Sequence, residues 1–181
     1  LGRLVVVKIM RPEFVGDPAA RARFERTAKA IAAVDHPNVA RVHWFGVFSN
    51  GVPYLVREYV KGGTLADRLS AEGPLPIALA RKILAQVADA LAAAHRSGFV
   101  HRNVGSAAVL YDAEAEKAVL SDFGLAGILP ENVGVLPRLT MAGEVIGSAD
   151  SLSPEQLRGE DPTEKTDVYA LGVLGYQLLT G

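Results

Sequence analysis

The hydrophobic pattern of this chain is mainly typical of strands before Thr64 and mainly typical of helices after it. This change restricts the fold more than any other feature. Before it, residues 4–9, 39–48 and 52–59 are apolar runs rich in β-branched and aromatic residues, which predict strands. One helix is expected among them, because Asp17 is a favourable cap and Pro18 suits the first helical position. The first part of the chain is therefore expected to be a small β-rich unit with one helix.

From Thr64 onward the pattern is mainly helical. A long helix is predicted to open at Pro76 and to end at Gly98, because glycine commonly follows the last helical turn. Residues 107–112 and 117–120 are predicted to be short strands beside it. The apolar stripe of the long helix consists of Ala80, Ile83, Leu84, Val87, Leu91 and Ala94.

Glycines that follow Val60 mark the expected boundary between the two parts, because glycine lets the chain bend. With 181 residues, of which 49% are hydrophobic, the chain can bury a sizeable core. We therefore predict an α+β fold with a single bilobed domain over residues 1–181. Its small lobe would occupy residues 1–60 and its larger helical lobe residues 64–181.

Composition excludes several classes of function. A net charge of −1 provides no basic surface for nucleic acid or acidic lipid. The uncharged run over residues 168–181 is too short to span a bilayer, and no signal peptide is visible. The chain has no cysteine, which rules out disulfides and thiolate metal sites and suits a reducing compartment. We therefore expect a cytoplasmic location, no nucleic-acid partner and no membrane segment in this chain.

Two short motifs point to catalytic machinery. His101-Arg102-Asn103 resembles the His-Arg-Asp of a protein kinase catalytic loop, and Asp122-Phe123-Gly124 matches the metal-binding Asp-Phe-Gly of that family. Further segments that resemble the family follow in its order, at residues 5–8, 36–39, 54–60, 61–65, 147–148, 153–156 and 167–172. Over nearly its whole length the chain resembles the bacterial Ser/Thr members of the protein kinase family.

The resemblance implies a protein-kinase-like fold in which both lobes are incomplete. The chain opens one short strand before Lys8, so the family's glycine-rich loop would be missing. It stops at Gly181, so the last helices of the larger lobe would be missing too. The helix expected near residues 167–180 is apolar on nearly all sides, and we expect it to leave an exposed apolar patch.

The resemblance also implies a site for ATP and Mg²⁺ between the lobes. Lys8 would contact the phosphates, and Asp122 would hold the metal. The adenine slot would be lined by Val6, Glu58, Val60 and Leu110.

Three groups of the family's catalytic loop are absent here. Asn103 stands at the position of the catalytic base, and an amide cannot accept the substrate proton. Gly105 and Ala108 stand at the positions of the phosphate-steadying lysine and the second metal ligand. Thr27 stands where a helix glutamate would pair with Lys8. We therefore expect an inactive or very weak, pseudokinase-like domain that binds ATP and Mg²⁺ weakly or not at all. Its expected role is a regulatory or binding one, with a protein partner, in bacterial signalling.

Two substitutions are expected to close the nucleotide slot. Val6 is larger than the alanine that the family prefers at the roof of the slot. Arg57 stands just before the hinge, where the family usually has an apolar side chain. Because Thr27 stands where the family has a helix glutamate, we expect Arg57 to form a bidentate pair with Asp122 and to occupy the pocket.

Other family positions imply structural roles. Asp167 would anchor the catalytic-loop backbone, and Glu155 would close the activation segment with an arginine beyond Gly181. Arg102 would contact either a phosphorylated Thr140 or backbone carbonyls, and the sequence leaves both open. The stack that joins the lobes would consist of Ile31, Val42, His101 and Phe123.

Two alternatives to the regulatory interpretation stay open at this point. The chain could be an active Ser/Thr protein kinase that transfers the ATP γ-phosphate to protein hydroxyls. Asp112, Glu144 or Asp150 would then have to replace the missing base. It could also be a non-functional fragment, which the apparent truncations would explain.

Overall fold

The computed structural model describes residues 2–123 and 151–181 and has the predicted two-lobed α+β arrangement. The small lobe contains β1 (Val5–Ile9), α1 (Pro12–Val15), α2 (Pro18–Ala32), β2 (Val42–Val47) and β3 (Pro53–Glu58). The larger lobe contains α3 (Leu65–Glu72), α4 (Ile77–Arg96), a 3-10 turn (Ser106–Ala108), β4 (Val109–Asp112), β5 (Lys117–Leu120), α5 (Pro154–Leu157) and α6 (Glu164–Thr180). The expectations for Gly124, Thr140, Glu144, residues 147–148 and Asp150 lie outside the described residues.

The small lobe is built on an antiparallel sheet with strand order β1-β3-β2. Strands β2 and β3 form the predicted hairpin, and Gly51 in its turn has a φ of 84°, which glycine adopts without steric cost. The register of β1 against β3 sets Val6 opposite Arg57 and Lys8 opposite Leu55. The two residues expected to narrow the nucleotide slot are therefore direct cross-strand neighbours.

Helix α2 begins and packs as its sequence predicts. Asp17 Oδ1 accepts a hydrogen bond of 2.8 Å from Ala19 N, and Pro18 occupies the first helical position. The buried face consists of Ala20, Phe24, Ala28 and Ile31. Because these residues repeat every three or four positions, a single face of α2 covers the sheet.

Helix α4 is the central helix of the larger lobe. It begins one residue later than predicted, because Pro76 is its cap, and Gly98 follows its last turn with a φ of 73°. All members of the predicted stripe are buried except Leu84, which is partly buried and packs against the core. The predicted strand over 107–112 is shorter than expected, because its first residues belong to the 3-10 turn.

Helix α6 is only partly covered. Ala170, Leu174 and Leu178 are buried on the side that packs against α4. Its other side exposes four large apolar residues, namely Val168, Tyr169, Tyr176 and Leu179. The expected exposed apolar patch is therefore present on this helix.

The lobes are joined by backbone bonds and a shared core. Ala40 N donates to Leu120 O at 2.8 Å, and Leu120 N donates to Asn38 O at 2.7 Å. Asn38 Nδ2 also donates to Gln86 Oε1 on α4 at 2.9 Å and to Ala118 O at 2.7 Å. One continuous apolar core includes Ile31 of the small lobe and most of the buried apolar residues of the larger lobe. The lobes are thus held in one relative position at this joint.

Among the residues that the structure describes, no helix combines the length and apolar character needed to cross a membrane.

Candidate functional site

The loop that carries Asn103 is anchored by one buried carboxylate on α6. Asp167 is fully buried; its Oδ1 accepts from Arg102 N and its Oδ2 from His101 N, each at 2.8 Å. His95 Nε2 lies 2.8 Å from the same Oδ2. The structure therefore confirms the expected anchoring role of Asp167 and adds His95, which sequence reasoning missed. A histidine in the last turn of α4 was the available signal.

His101 links this loop to the segment that carries Asp122. Its Nε2 donates to Ser121 O at 2.9 Å, and its Nδ1 accepts from Asn103 N at 3.2 Å. Burial lowers the pKa of His101, which favours the neutral ring. In that form one nitrogen donates and the other accepts, so both are satisfied. The ring centroid lies 4.5 Å from that of Phe123, and both side chains are buried. The expected stack between the lobes is formed, because Phe123, Ile31 and Val42 pack in the same core.

The three loop positions considered above carry neither a carboxylate nor an ammonium group, since they are Asn103, Gly105 and Ala108. Asn103 is half-buried, and its backbone N donates to His101 Nδ1. Ala108 is buried, and its carbonyl accepts from both Ser121 N and Ser121 Oγ. Gly105 is extended, and no described atom outside its chain neighbours lies within 4 Å of the position of an added Cβ. Packing would therefore accept a side chain at Gly105, so its absence is not imposed by the fold.

Lys8 and Asp122 form an ion pair across the cleft between the lobes. About a third of the Lys8 side chain and a quarter of the Asp122 side chain are exposed, at 30% and 25%. The contact is an ion pair, and among the described residues no hydrogen bond to Asp122 Oδ1 accompanies it. Asp122 has a φ of 66°, in the left-handed region that disfavours side chains other than those of asparagine and aspartate.

Helix α2 supplies no carboxylate to Lys8 from either Glu25 or position 27. Glu25 pairs with Lys29 on the same helix at 2.9 Å, and both side chains are more than half exposed. Thr27 occupies the position of the expected glutamate. Lys8 therefore takes its anion from Asp122 instead of from α2.

The predicted pair between Arg57 and Asp122 is wrong. Arg57 is buried, but Nη1 donates to the backbone O of Glu58 at 3.0 Å, and no ion pair joins it to Asp122. The physical reason is that Lys8 already forms an ion pair with the Asp122 carboxylate. Lys8 lies on β1, two residues after Val6, which is the cross-strand partner of Arg57. Burial lowers the pKa of Arg57, and the nearby Asp122 and Glu58 carboxylates partly offset this effect.

The structure distributes the predicted adenine-slot residues over two places. Val60 packs against a buried cluster that contains Leu110, Val119 and Ala40. Val6 lies opposite Arg57 in the sheet. The Glu58 carboxylate turns to the outside, where Oε1 accepts from Arg41 N at 2.9 Å, so that only its backbone O faces Arg57.

A metal site of ordinary composition is not formed by the described residues, since no three histidine, aspartate or glutamate side chains converge among them. Mg²⁺ is typically held by one or two carboxylates together with substrate phosphates. Asp122 is already paired with Lys8, and Ala108 offers no ligand atom. The residues present therefore fit a tightly held Mg²⁺ poorly.

Helix α5 makes one contact with the catalytic loop and one with α6. Gln156 Nε2 donates to Arg102 O at 3.1 Å, so α5 also holds the catalytic loop. Glu155 accepts from Thr166 Oγ1 at 2.7 Å, and this bond holds the pKa of Glu155 below its ordinary value. Glu155 thus has a partner inside the described residues, where the sequence suggested only an arginine beyond Gly181.

Comparison with known proteins identifies this architecture. The family model "Protein kinase domain" matches residues 1–181. The chain is 38% identical to the serine/threonine-protein kinase PknB of Mycobacterium leprae over 184 residues, covering 100% of this chain and 29% of PknB. It is also 38% identical to PrkC of Bacillus subtilis, covering 100% of this chain and 27% of PrkC. The chain therefore spans less than a third of the length of these curated relatives.

Solved structures agree on the fold. The kinase domain of Mycobacterium tuberculosis PknI (C20A mutant) aligns with a TM-score of 0.76 at 26% identity, over 99% of this chain and 64% of that one. Rad53 in complex with AMP-PNP aligns with a TM-score of 0.74 at 24% identity, over 98% of this chain and 41% of that one. The second likeness bears on the fold alone.

Proposed function

Since this chain belongs to the protein kinase domain family, we propose that it is a cytoplasmic regulatory or binding module of bacterial signalling that does not transfer phosphate. The observation that carries the proposal is Asn103 at the position of the base, on a loop held in place by Asp167. The Asp167 carboxylate anchors this loop at the backbone N of both His101 and Arg102. The proposed activity is recognition of a protein partner by the folded domain.

The missing groups act on the same step, which makes their loss severe. A general base typically contributes about 10²–10⁴ in rate, and phosphoryl transfer relies further on cations that neutralise the transferring group. Gly105 supplies no cation, and Ala108 supplies no metal ligand. Because Asp122 is paired with Lys8, we propose that ATP and Mg²⁺ bind weakly or not at all.

The second candidate is an active Ser/Thr protein kinase. It is favoured by the placement of Lys8 and Asp122, which face each other across the cleft, and by the kinase names of the curated relatives. Asp112 lies in the β4–β5 turn, where Oδ1 accepts from Glu114 N at 3.0 Å and from Ala115 N at 3.1 Å, which makes it a poor candidate for the base. Glu144 and Asp150 lie outside the described residues.

Phosphate transfer separates the two candidates. The chain is incubated with radiolabelled ATP, Mg²⁺ or Mn²⁺, and a general protein substrate, beside the matched variant Lys8→Met. We expect no label on the substrate or on the chain itself above the level of that variant. Label that the parent chain incorporates and Lys8→Met does not would establish the active kinase and refute the regulatory proposal.

A further inference from the structure

Arg57 places a buried hydrogen-bond donor against the hinge of the cleft. Its side chain is only 8% exposed, and Nη1 donates to the backbone O of Glu58 at 3.0 Å. Val6 lies directly across the sheet from it. The carbonyl of Glu58 is therefore already engaged as an acceptor by a guanidinium.

This guanidinium is incompletely compensated. The carboxylate of Asp122 is paired with Lys8, and no ion pair is formed by Arg57 among the described residues. Its Nε is buried and has no hydrogen-bond partner within residues 2–123 and 151–181. A buried cation in this state favours any ligand that brings acceptor atoms to it. Arginine keeps its proton at all accessible pH values, so it offers donors only.

Hydrogen-bond polarity then separates the purines. A free backbone carbonyl pairs with the 6-amino group of adenine, which is a donor, whereas a guanidinium pairs with a 6-oxo group, which is an acceptor. We propose that Arg57 reverses the polarity of this edge of the cleft and makes it selective for nucleotides of 6-oxopurines, guanine or hypoxanthine, over those of adenine. The inference rests on the proposed weak use of the cleft by ATP, but it is independent of whether phosphate is transferred.

The test measures binding of GTP, ITP and ATP to the chain by titration calorimetry, with and without Mg²⁺. ITP has the 6-oxo group but no 2-amino group, so it isolates the contact made by position 6. We expect GTP and ITP to bind at least about tenfold tighter than ATP, because a site built for an acceptor rejects a donor. The matched control Arg41→Met removes an exposed guanidinium that bonds to Asp35 behind the hinge, and it should keep the preference.

Variants at position 57 complete the test. Arg57→Met should abolish the preference and favour ATP, since it frees the carbonyl of Glu58. Arg57→Gln, which offers both a donor and an acceptor, should bind ITP and ATP within about threefold of each other. Circular dichroism melts identify any variant that fails to fold, and the other variant then decides.

Three results overturn the inference: ATP binding as tight as ITP binding in the parent chain, an unchanged preference in the Arg57 variants, or no measurable binding of any of the three nucleotides. The last result would mean that Arg57 simply fills the site. Phosphate transfer from GTP would refute the proposed function and leave this inference standing. A chain that transfers no phosphate and binds ATP more tightly than ITP would refute this inference and leave the proposed function standing.

Discussion

Asp167 offers the sharpest test of how this fold holds its catalytic loop. The carboxylate is fully buried and accepts from two backbone N–H groups and from His95, each at 2.8 Å. In Asp167→Asn, one amide nitrogen must face a backbone N–H in either orientation, which leaves one buried donor unsatisfied. Such a group costs about 1–3 kcal/mol. Asp167→Ala leaves all three donors without an acceptor, and at about 1–3 kcal/mol for each unsatisfied group we expect a loss of at least about 3 kcal/mol.

These losses are measured as the change in free energy of unfolding in urea, at constant m-value. Glu164→Gln is the matched control, because Glu164 lies exposed in the first turn of the same helix. It should cost no more than about 1 kcal/mol through the helix dipole. Since domains are stable by about 5–15 kcal/mol, Asp167→Ala should remove a substantial fraction of the free energy of unfolding. A cost below about 1 kcal/mol for Asp167→Ala would refute the view that this carboxylate anchors the loop.

Three further predictions follow from the same contacts. Asn103→Asp alone should give no phosphate transfer, because Gly105 and Ala108 still lack their groups; a large gain in a radiolabel assay would contradict this. Because burial lowers the pKa of His101 below its ordinary value of 6.5, its contribution to stability is present above that pH and is lost as pH falls toward the lowered pKa. Unfolding titrations between pH 7.5 and about 5 should show this loss, and His101→Phe should reduce it. The exposed apolar side of α6 should drive self-association, so Tyr176→Lys with Leu179→Lys should raise the monomer fraction in sedimentation velocity, and a parent chain that is already monomeric would contradict this.

Local patterns predicted most of the secondary structure. The cap at Asp17, the apolar stripe of α4 and the left-handed Gly98 were all read correctly, because each depends on residues within one or two turns. The 3-10 turn before β4 was not read correctly. Its residues are apolar like those of the strand that follows, so hydrophobic period could not separate them.

The candidate site was predictable in its residues but only partly in its contacts. Asp167 was expected to hold the loop and does so, because its position in the family's order is enough to identify its role. His95 was missed, since a histidine at the end of a helix has no distinctive pattern of its own. The partner of Arg57 was predicted wrongly, because the sequence does not show whether Lys8 or Arg57 pairs with Asp122.

By itself, the sequence determined which elements form and which chemical groups are missing. Both follow from residue type and local spacing, and the absence of a carboxylate at Asn103 needs no coordinates to be known. Only the tertiary structure decided how the remaining charges pair, since Lys8 and Asp122 belong to different lobes and meet only when those lobes pack together. It also decided that Arg57 donates to the carbonyl of Glu58, because a buried guanidinium without an ion pair needs a hydrogen-bond acceptor nearby.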